Sequence, residues 1–326
     1  MSPHKTHLER AISILSLPYY WAGIVVGALF FLISIIIMAY LEKSFANIIS
    51  YFIVSTLIAQ QIIIVTWAHE KIKKLKDVFV DIAELPPEYV AKWYDGQESD
   101  IFNDKKMFLT GIFITAIAIA LGLDQLGLAS QPYYTYAFLK IYYYFAHYIM
   151  GAGLYVWIAT ASMVYKMGKF PLRIDVLLSK NIRFKGVLYS KFTLCAASVY
   201  ISWGLFHLST PLKLSTLPAI LWFSSFAILL CAYFILPQYS IHQMMIKTKK
   251  EKLLIFSTYL KDKAEDALLN PTQENASRLK NMLEVQCQLD KMCEWPFGSY
   301  EVLHIVLIII IPLIVVILEI IFGVIK

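Results

Sequence analysis

Tyrosine, histidine and glycine meet at one point in an otherwise apolar stretch of the chain. Tyr144 and Tyr148 are four residues apart on a predicted helix, with His147 beside them and Gly151 three residues further on. Phenol and imidazole groups form hydrogen bonds, and a glycine lets a ligand or a neighbouring helix approach closely. This spacing favours a ligand-binding pocket formed by these four residues. The alternative is that the same polar groups bond between packed helices.

A second set of ionisable side chains lies in the last apolar run. Glu301 and His304 are three residues apart and share one face of a helix, and Glu319 lies near the other end. Ionisable groups within a membrane are costly and usually face the bundle interior or water. These ionisable residues predict that the helix lines a pore or a relay. The alternative for Glu319 is a position at the membrane interface. Gln60 and Gln61 present a similar choice between interhelical hydrogen bonds and a conduction path.

The sequence contains no complete catalytic or metal-binding motif. His69-Glu70 resembles half of a zinc-protease motif, but no second histidine follows at the required spacing. The histidines at 69, 147, 207 and 304 have different predicted depths, so we expect no metal cage. The sequence therefore predicts no cofactor and no metal, and it favours a non-enzymatic role over an enzyme.

The helices that the long apolar runs are predicted to form must position all of these residues. The chain has 326 residues, of which 59% are hydrophobic and 16% charged, and its mean hydropathy is +0.62. A water-soluble domain cannot hide that much apolar surface, and a helix crosses a bilayer with about 20 apolar residues. The predicted fold is therefore all-α, an integral membrane protein of the cell membrane with seven transmembrane helices. The predicted spans are 19–41, 46–68, 107–128, 136–165, 190–208, 215–240 and 301–323.

Nearly all lysines and arginines lie in four segments, which the positive-inside rule places in the cytosol. All four lie on one side only if the N-terminus is cytosolic and the C-terminus is outside. Residues 3–17 then predict an amphipathic helix against the inner leaflet, ended by Pro18. Contact with anionic lipid explains the net charge of +6, so no nucleic-acid partner is expected. The segments are the N-terminal tail, 69–106, 166–191 and 241–300.

Residues 241–297 predict a cytosolic helical hairpin that is broken at Asn270-Pro271. The hairpin separates a six-helix region, residues 1–240, from the last span within residues 298–326. Its second arm carries an apolar stripe, which must be covered by the first arm or by a neighbouring subunit. The stripe consists of Leu279, Met282, Leu283, Leu289 and Met292.

Two short motifs resemble those of a group of uncharacterised prokaryotic multi-pass membrane proteins. One is CEWPFG at 293–298, where a cytosolic helix meets the last span, and the other is FPLRID at 170–175. In that group a His-Pro-Asp-Gly-like turn typically follows the aspartate, whereas VLLSK stands at 176–180 here. Independently of the resemblance, Pro296 and its aromatic neighbours predict a corner that turns the chain into the membrane.

The layout of the whole chain is similar to that of insect-chemoreceptor-like seven-helix ion channels. These have a cytosolic N-terminus, a long extension of the sixth helix and a last helix divided between cytosol and membrane. The resemblance implies a homo-oligomer of four copies, with subunit contacts between cytosolic helices and a pore lined by the last helix. The implied pore-lining residues are Glu301, His304, Ile308, Pro312, Val315 and Glu319.

The leading functional hypothesis is a homo-oligomeric ion channel or ligand-sensing channel. A small-molecule transporter or membrane-embedded enzyme is one alternative, and a scaffold or signalling protein is another. A transporter would show broken helices at paired positions, for which the segment with Gly151 and Gly153 is the one candidate. The expected partners are the lipid bilayer, further copies of the chain and a small ligand or ion.

Overall fold

The chain is all-helical in the part that the structure describes. This computed structural model contains eight α-helices and no β-strand in that part. Four helical segments are long and apolar enough to cross a membrane, which supports a helical membrane protein. They are Tyr19–Tyr40, Ile48–Ile82, Lys140–Met167 and Ser224–Leu269. The described residues are 10, 14–42, 48–121, 133–171, 179–209, 216–269, 272–291, 294–295, 303, 310, 314 and 317–318.

The first two helices, α1 (Tyr19–Ile37) and α2 (Ile48–Ile82), pack through glycines. A methyl group added at Gly27 would lie 2.7 Å from the Ala59 side chain and 2.9 Å from the Ser55 carbonyl oxygen. Small residues four apart allow this close approach between membrane helices. Pro18 precedes α1, while the predicted helix over 3–17 lies mostly outside the described residues.

A polar helix, α3 (Pro87–Ile101), follows α2 and was not expected from the sequence. Pro86 and Pro87 begin it, because a proline at the first helical position loses no intrahelical hydrogen bond. One face, with Val90, Tyr94 and Ile101, is fully buried. The Tyr94 hydroxyl donates to the Ile72 carbonyl of α2 at 2.5 Å, and burial raises the pKa of that hydroxyl. An acidic segment thus folds onto the end of α2.

The helices α4 (Asp104–Ala120) and α5 (Tyr133–Met167) pack extensively against each other. The Asn103 side chain caps α4 by accepting from the Lys106 backbone N–H at 3.1 Å. The next helix, α6 (Ser179–Ser209), begins inside the segment 166–191 that was expected to be a loop.

A single helix of 54 residues, α7 (Thr216–Leu269), runs from the bundle into the polar part of the chain. It is about 80 Å long at about 1.5 Å per residue. The chain then turns back as α8 (Gln273–Asp290), which packs along α7 as a hairpin. The helix cap is Thr272, whose hydroxyl accepts from the Asn275 N–H.

Two apolar layers hold the helices together. One joins α1, α2, α4, α5 and α6 within the bundle. The other joins the polar ends of α2, α5 and α7 to α3 and α8, around buried side chains such as Phe79, Met163, Met244 and Leu289. Outside these layers α1 leaves Trp21 about half exposed, as expected for a helix face that contacts lipid.

Candidate functional site

The four residues of the predicted ligand pocket are divided between two helix interfaces. His147 is fully buried toward α6, with its ring 4.1 Å from that of Tyr143 and 4.6 Å from that of Trp203. Its Nδ1 lies 3.0 Å from the Tyr143 carbonyl oxygen. Tyr148 instead packs against Phe108 of α4, with ring centroids 6.0 Å apart. The polar groups therefore face in different directions.

Gly151 and Gly111 bring α4 and α5 into backbone contact. A methyl group at Gly151 would lie 2.7 Å from the Thr110 carbonyl oxygen and 2.9 Å from the Gly111 Cα. A methyl group at Gly111 would lie 2.6 Å from the Tyr148 ring. Tyr144 is partly buried and lies in the bundle layer. Ligand binding by Tyr144, His147, Tyr148 and Gly151 stays a prediction, and the contacts of Gly151 are those of helix packing.

A polar cluster that the sequence only partly indicated lies between α2, α5 and α6. Gln60 donates from Nε2 to the Ser198 hydroxyl of α6 at 2.8 Å, which is an interhelical hydrogen bond. Gln61 is buried, and its Oε1 would lie 2.6 Å from a methyl group at Gly153. In the described part of the chain this Oε1 has no hydrogen-bond partner. A cavity of about 10 Å³ beside it, bounded also by Trp203, is large enough for about one water molecule.

A larger apolar groove lies between α5 and α7, with α6 as its floor. The two helices cross where the Ser240 hydroxyl donates to the Tyr165 carbonyl oxygen at 2.8 Å. Gly168 permits this crossing, because a methyl group there would lie 2.4 Å from the Ser240 hydroxyl oxygen. Away from the crossing the helices diverge around a volume of about 500 Å³. Small residues on all three helices line it, namely Ala161, Ala196 and Ala232.

The hairpin stripe is only partly covered by the first arm. Leu289 is buried against α7 and borders a cavity of about 290 Å³ with Phe256 and Tyr259. Leu279 and Met282 are half-buried, whereas Leu283 is 50% exposed. Met292 lies outside the described residues. Among the described residues, the stripe therefore has one exposed edge, at Leu283.

Glu294 and Trp295, which precede the predicted last span, dock on α7. The indole of Trp295 stacks on the imidazole of His242, with ring centroids 3.7 Å apart and planes 9° apart. His242 Nδ1 lies 2.7 Å from the Glu294 carbonyl oxygen, and Lys249 Nζ lies 3.0 Å from Glu294 Oε1. The hydrogen bond from Lys249 lowers the pKa of the Glu294 carboxyl. Sequence patterns indicated the corner but not its partner.

The polar ends of the bundle carry a further set of cross-helix contacts. His69 Nε2 of α2 lies 3.1 Å from Glu98 Oε1 of α3, and the His69 ring packs on Phe102. The Tyr155 hydroxyl of α5 donates to the Asp100 carbonyl oxygen at 2.7 Å. These contacts fix α3 across α2 and α5. Within the described residues no group of three or more acidic, histidine or cysteine side chains is arranged to hold a metal ion.

The six residues of the predicted pore lining lie outside the described residues. They are Glu301, His304, Ile308, Pro312, Val315 and Glu319. Nearby, Leu303, Ile310, Ile314 and Ile317 are helical and about half exposed.

No family model matches the chain, and neither a curated protein nor a solved structure is significantly similar to it.

Proposed function

We propose that the chain is a homo-oligomeric ion channel that responds to a ligand, with residues 298–326 lining the pore. In this proposal seven helices cross the membrane, the N-terminus is cytosolic and the C-terminus is outside. The observation that supports it best is the docking of the corner at Trp295 on His242 of α7. Through this stack one long helix links the bundle, the hairpin and the start of the last span. A movement of α7 in the bundle would then reach the pore helix.

The hairpin supplies the subunit contact in this proposal. Exposed apolar side chains are costly in water, and a surface that carries several of them usually has a partner. On the hairpin, Leu254, Leu268 and Leu283 are 70%, 81% and 50% exposed. Leu289 by contrast is buried between the arms. These exposed side chains are thus available to a second copy without opening the hairpin.

Replacing Leu283 by lysine is expected to dissociate the oligomer in mild detergent while the hairpin remains folded. A charge at the contact would have to be buried without a partner, which is strongly unfavourable. The matched control is Asn281→Lys, which adds the same charge to an exposed position on α8. Light scattering gives the mass of each variant, and circular dichroism checks the helix content. An unchanged oligomer in Leu283→Lys would exclude this edge as the contact.

The proposed orientation predicts which side of the membrane each loop occupies. In a variant without the four native cysteines, a cysteine at position 213 should react with an impermeant maleimide in intact cells. A cysteine at Ser257, exposed on the hairpin, should react only after the membrane is opened. Labelling of position 213 from the cytosolic side alone would overturn the proposed topology.

A further inference from the structure

The groove between α5 and α7 opens sideways, toward the surface that a membrane would cover. Its rim includes Ile158, Leu229 and Leu236, which are 51%, 42% and 59% exposed. The helices that form it belong to two of the segments long enough to cross a membrane. With about 500 Å³, the groove has the size of an ordinary ligand pocket, for which about 300–1,000 Å³ is typical. Its ligand would therefore enter from the lipid phase.

One end of the groove is positively charged. Tyr165 lines the groove, and the ammonium group of Lys169 lies 4.7 Å from the centre of its ring. Lys166, one residue after Tyr165, is also exposed and donates to the Gln97 side chain at 3.1 Å. Neither lysine forms an ion pair within the described residues. The opposite end is bordered by apolar and aromatic side chains such as Leu154 and Phe226.

We propose that this groove binds an anionic phospholipid, with one acyl chain between α5 and α7 and the phosphate at Lys169. The apolar part of the groove matches the acyl chain of such a lipid, and the ammonium group of Lys169 matches its phosphate. A neutral lipid would fill the apolar part but would gain nothing from the ammonium group. The site does not depend on whether the protein conducts ions.

Two substitutions test the binding of the acyl chain and the binding of the phosphate separately. Ala161→Phe places a larger side chain in the groove, and Lys169→Glu reverses the charge at its end. Lys247→Glu is the matched control, because Lys247 is exposed on the hairpin part of α7, about three helical turns beyond Pro237 at the end of the groove lining. All variants keep the full chain.

Native mass spectrometry of the purified protein, mixed with equal amounts of phosphatidylglycerol and phosphatidylcholine, measures the outcome. The unmodified protein and Lys247→Glu should retain phosphatidylglycerol preferentially. Lys169→Glu should reduce that preference at least about fivefold, the equivalent of about 1 kcal/mol for one lysine near an anionic lipid. Ala161→Phe should reduce the retention of both lipids.

Three results would overturn the proposal. Equal retention of the two lipids by the unmodified protein would remove the phosphate site. Unchanged preference in Lys169→Glu would place the headgroup elsewhere. Loss of the oligomer in Ala161→Phe, without a change in lipid retention, would assign the groove to a second copy of the chain. None of these readouts measures conductance, so a failure here leaves the proposed channel function standing.

Discussion

Adding one methyl group at Gly151 is expected to lower the free energy of unfolding by about 3 kcal/mol, at the upper end of typical overpacking costs. The methyl group would lie 2.7 Å from the Thr110 carbonyl oxygen and 2.9 Å from the Gly111 Cα. Both are backbone atoms of a helix, so they cannot move aside as a flexible side chain can. The contact between α4 and α5 must therefore open.

The same substitution at Gly96 is the control, and it should raise the free energy of unfolding. Gly96 lies in α3, and a methyl group there would meet no atom within 4 Å. Alanine in a helix is more stable than glycine by about 0.5–1 kcal/mol. The measurement is thermal unfolding of Gly151→Ala and Gly96→Ala in the same detergent. Equal stability of the two variants would contradict the packing of α4 on α5 described above.

In the proposed channel, replacing Trp295 by alanine is expected to reduce the ratio of conducting to non-conducting channels by up to about tenfold. The stack on His242 is one of the contacts between Trp295 and α7. A stacked aromatic pair contributes about 0.5–1.5 kcal/mol beyond its buried area, and about 1.4 kcal/mol corresponds to a factor of ten. Without the stack, the pore helix would no longer follow α7.

Trp21→Ala provides the matched control for this experiment. Trp21 and Trp295 are 52% and 43% exposed, so both changes remove a similar amount of surface. Trp21 lies on the outer face of α1, far along the chain from the corner. Single-channel recording in planar bilayers compares the open fractions. A loss of activity that is equal in both variants would show that the stack has no special role.

Boundaries set by proline were predictable from the sequence, because proline restricts the backbone wherever it stands. Pro18 precedes α1, and Pro86 and Pro87 stand at the start of α3. Pro237 shows the limit of that rule, since α7 continues through it. Neighbouring helices can satisfy the freed backbone group within a membrane bundle.

The helix α3 was missed because its periodic apolar residues are few. Val90, Tyr94 and Ile101 face the core, while the acidic residues Asp95, Glu98 and Asp100 lie between them. Charge dominates the pattern, so the sequence indicated only a charged segment between two predicted spans. This face is buried because it packs on the end of α2, where Tyr94 contacts the Ile72 carbonyl and the Phe79 ring.

The proposed pocket on α5 illustrates what spacing alone cannot decide. His147 and Tyr148 are adjacent, so their side chains point about 100° apart around the helix. One therefore faces α6 and the other α4. Which direction leads to a cavity depends on the positions of the neighbouring helices. The groove near Tyr165 was likewise not predictable from the sequence, because the crossing of α5 and α7 creates it.

Recording from the purified protein in a planar bilayer, after its mass has been measured, tests the central claim most directly. The proposal predicts an assembly of more than one subunit and discrete single-channel openings. The openings should disappear in Leu283→Lys, which is expected to be monomeric, and persist in Asn281→Lys. A monomer that gives no conductance under any ionic condition would contradict the channel.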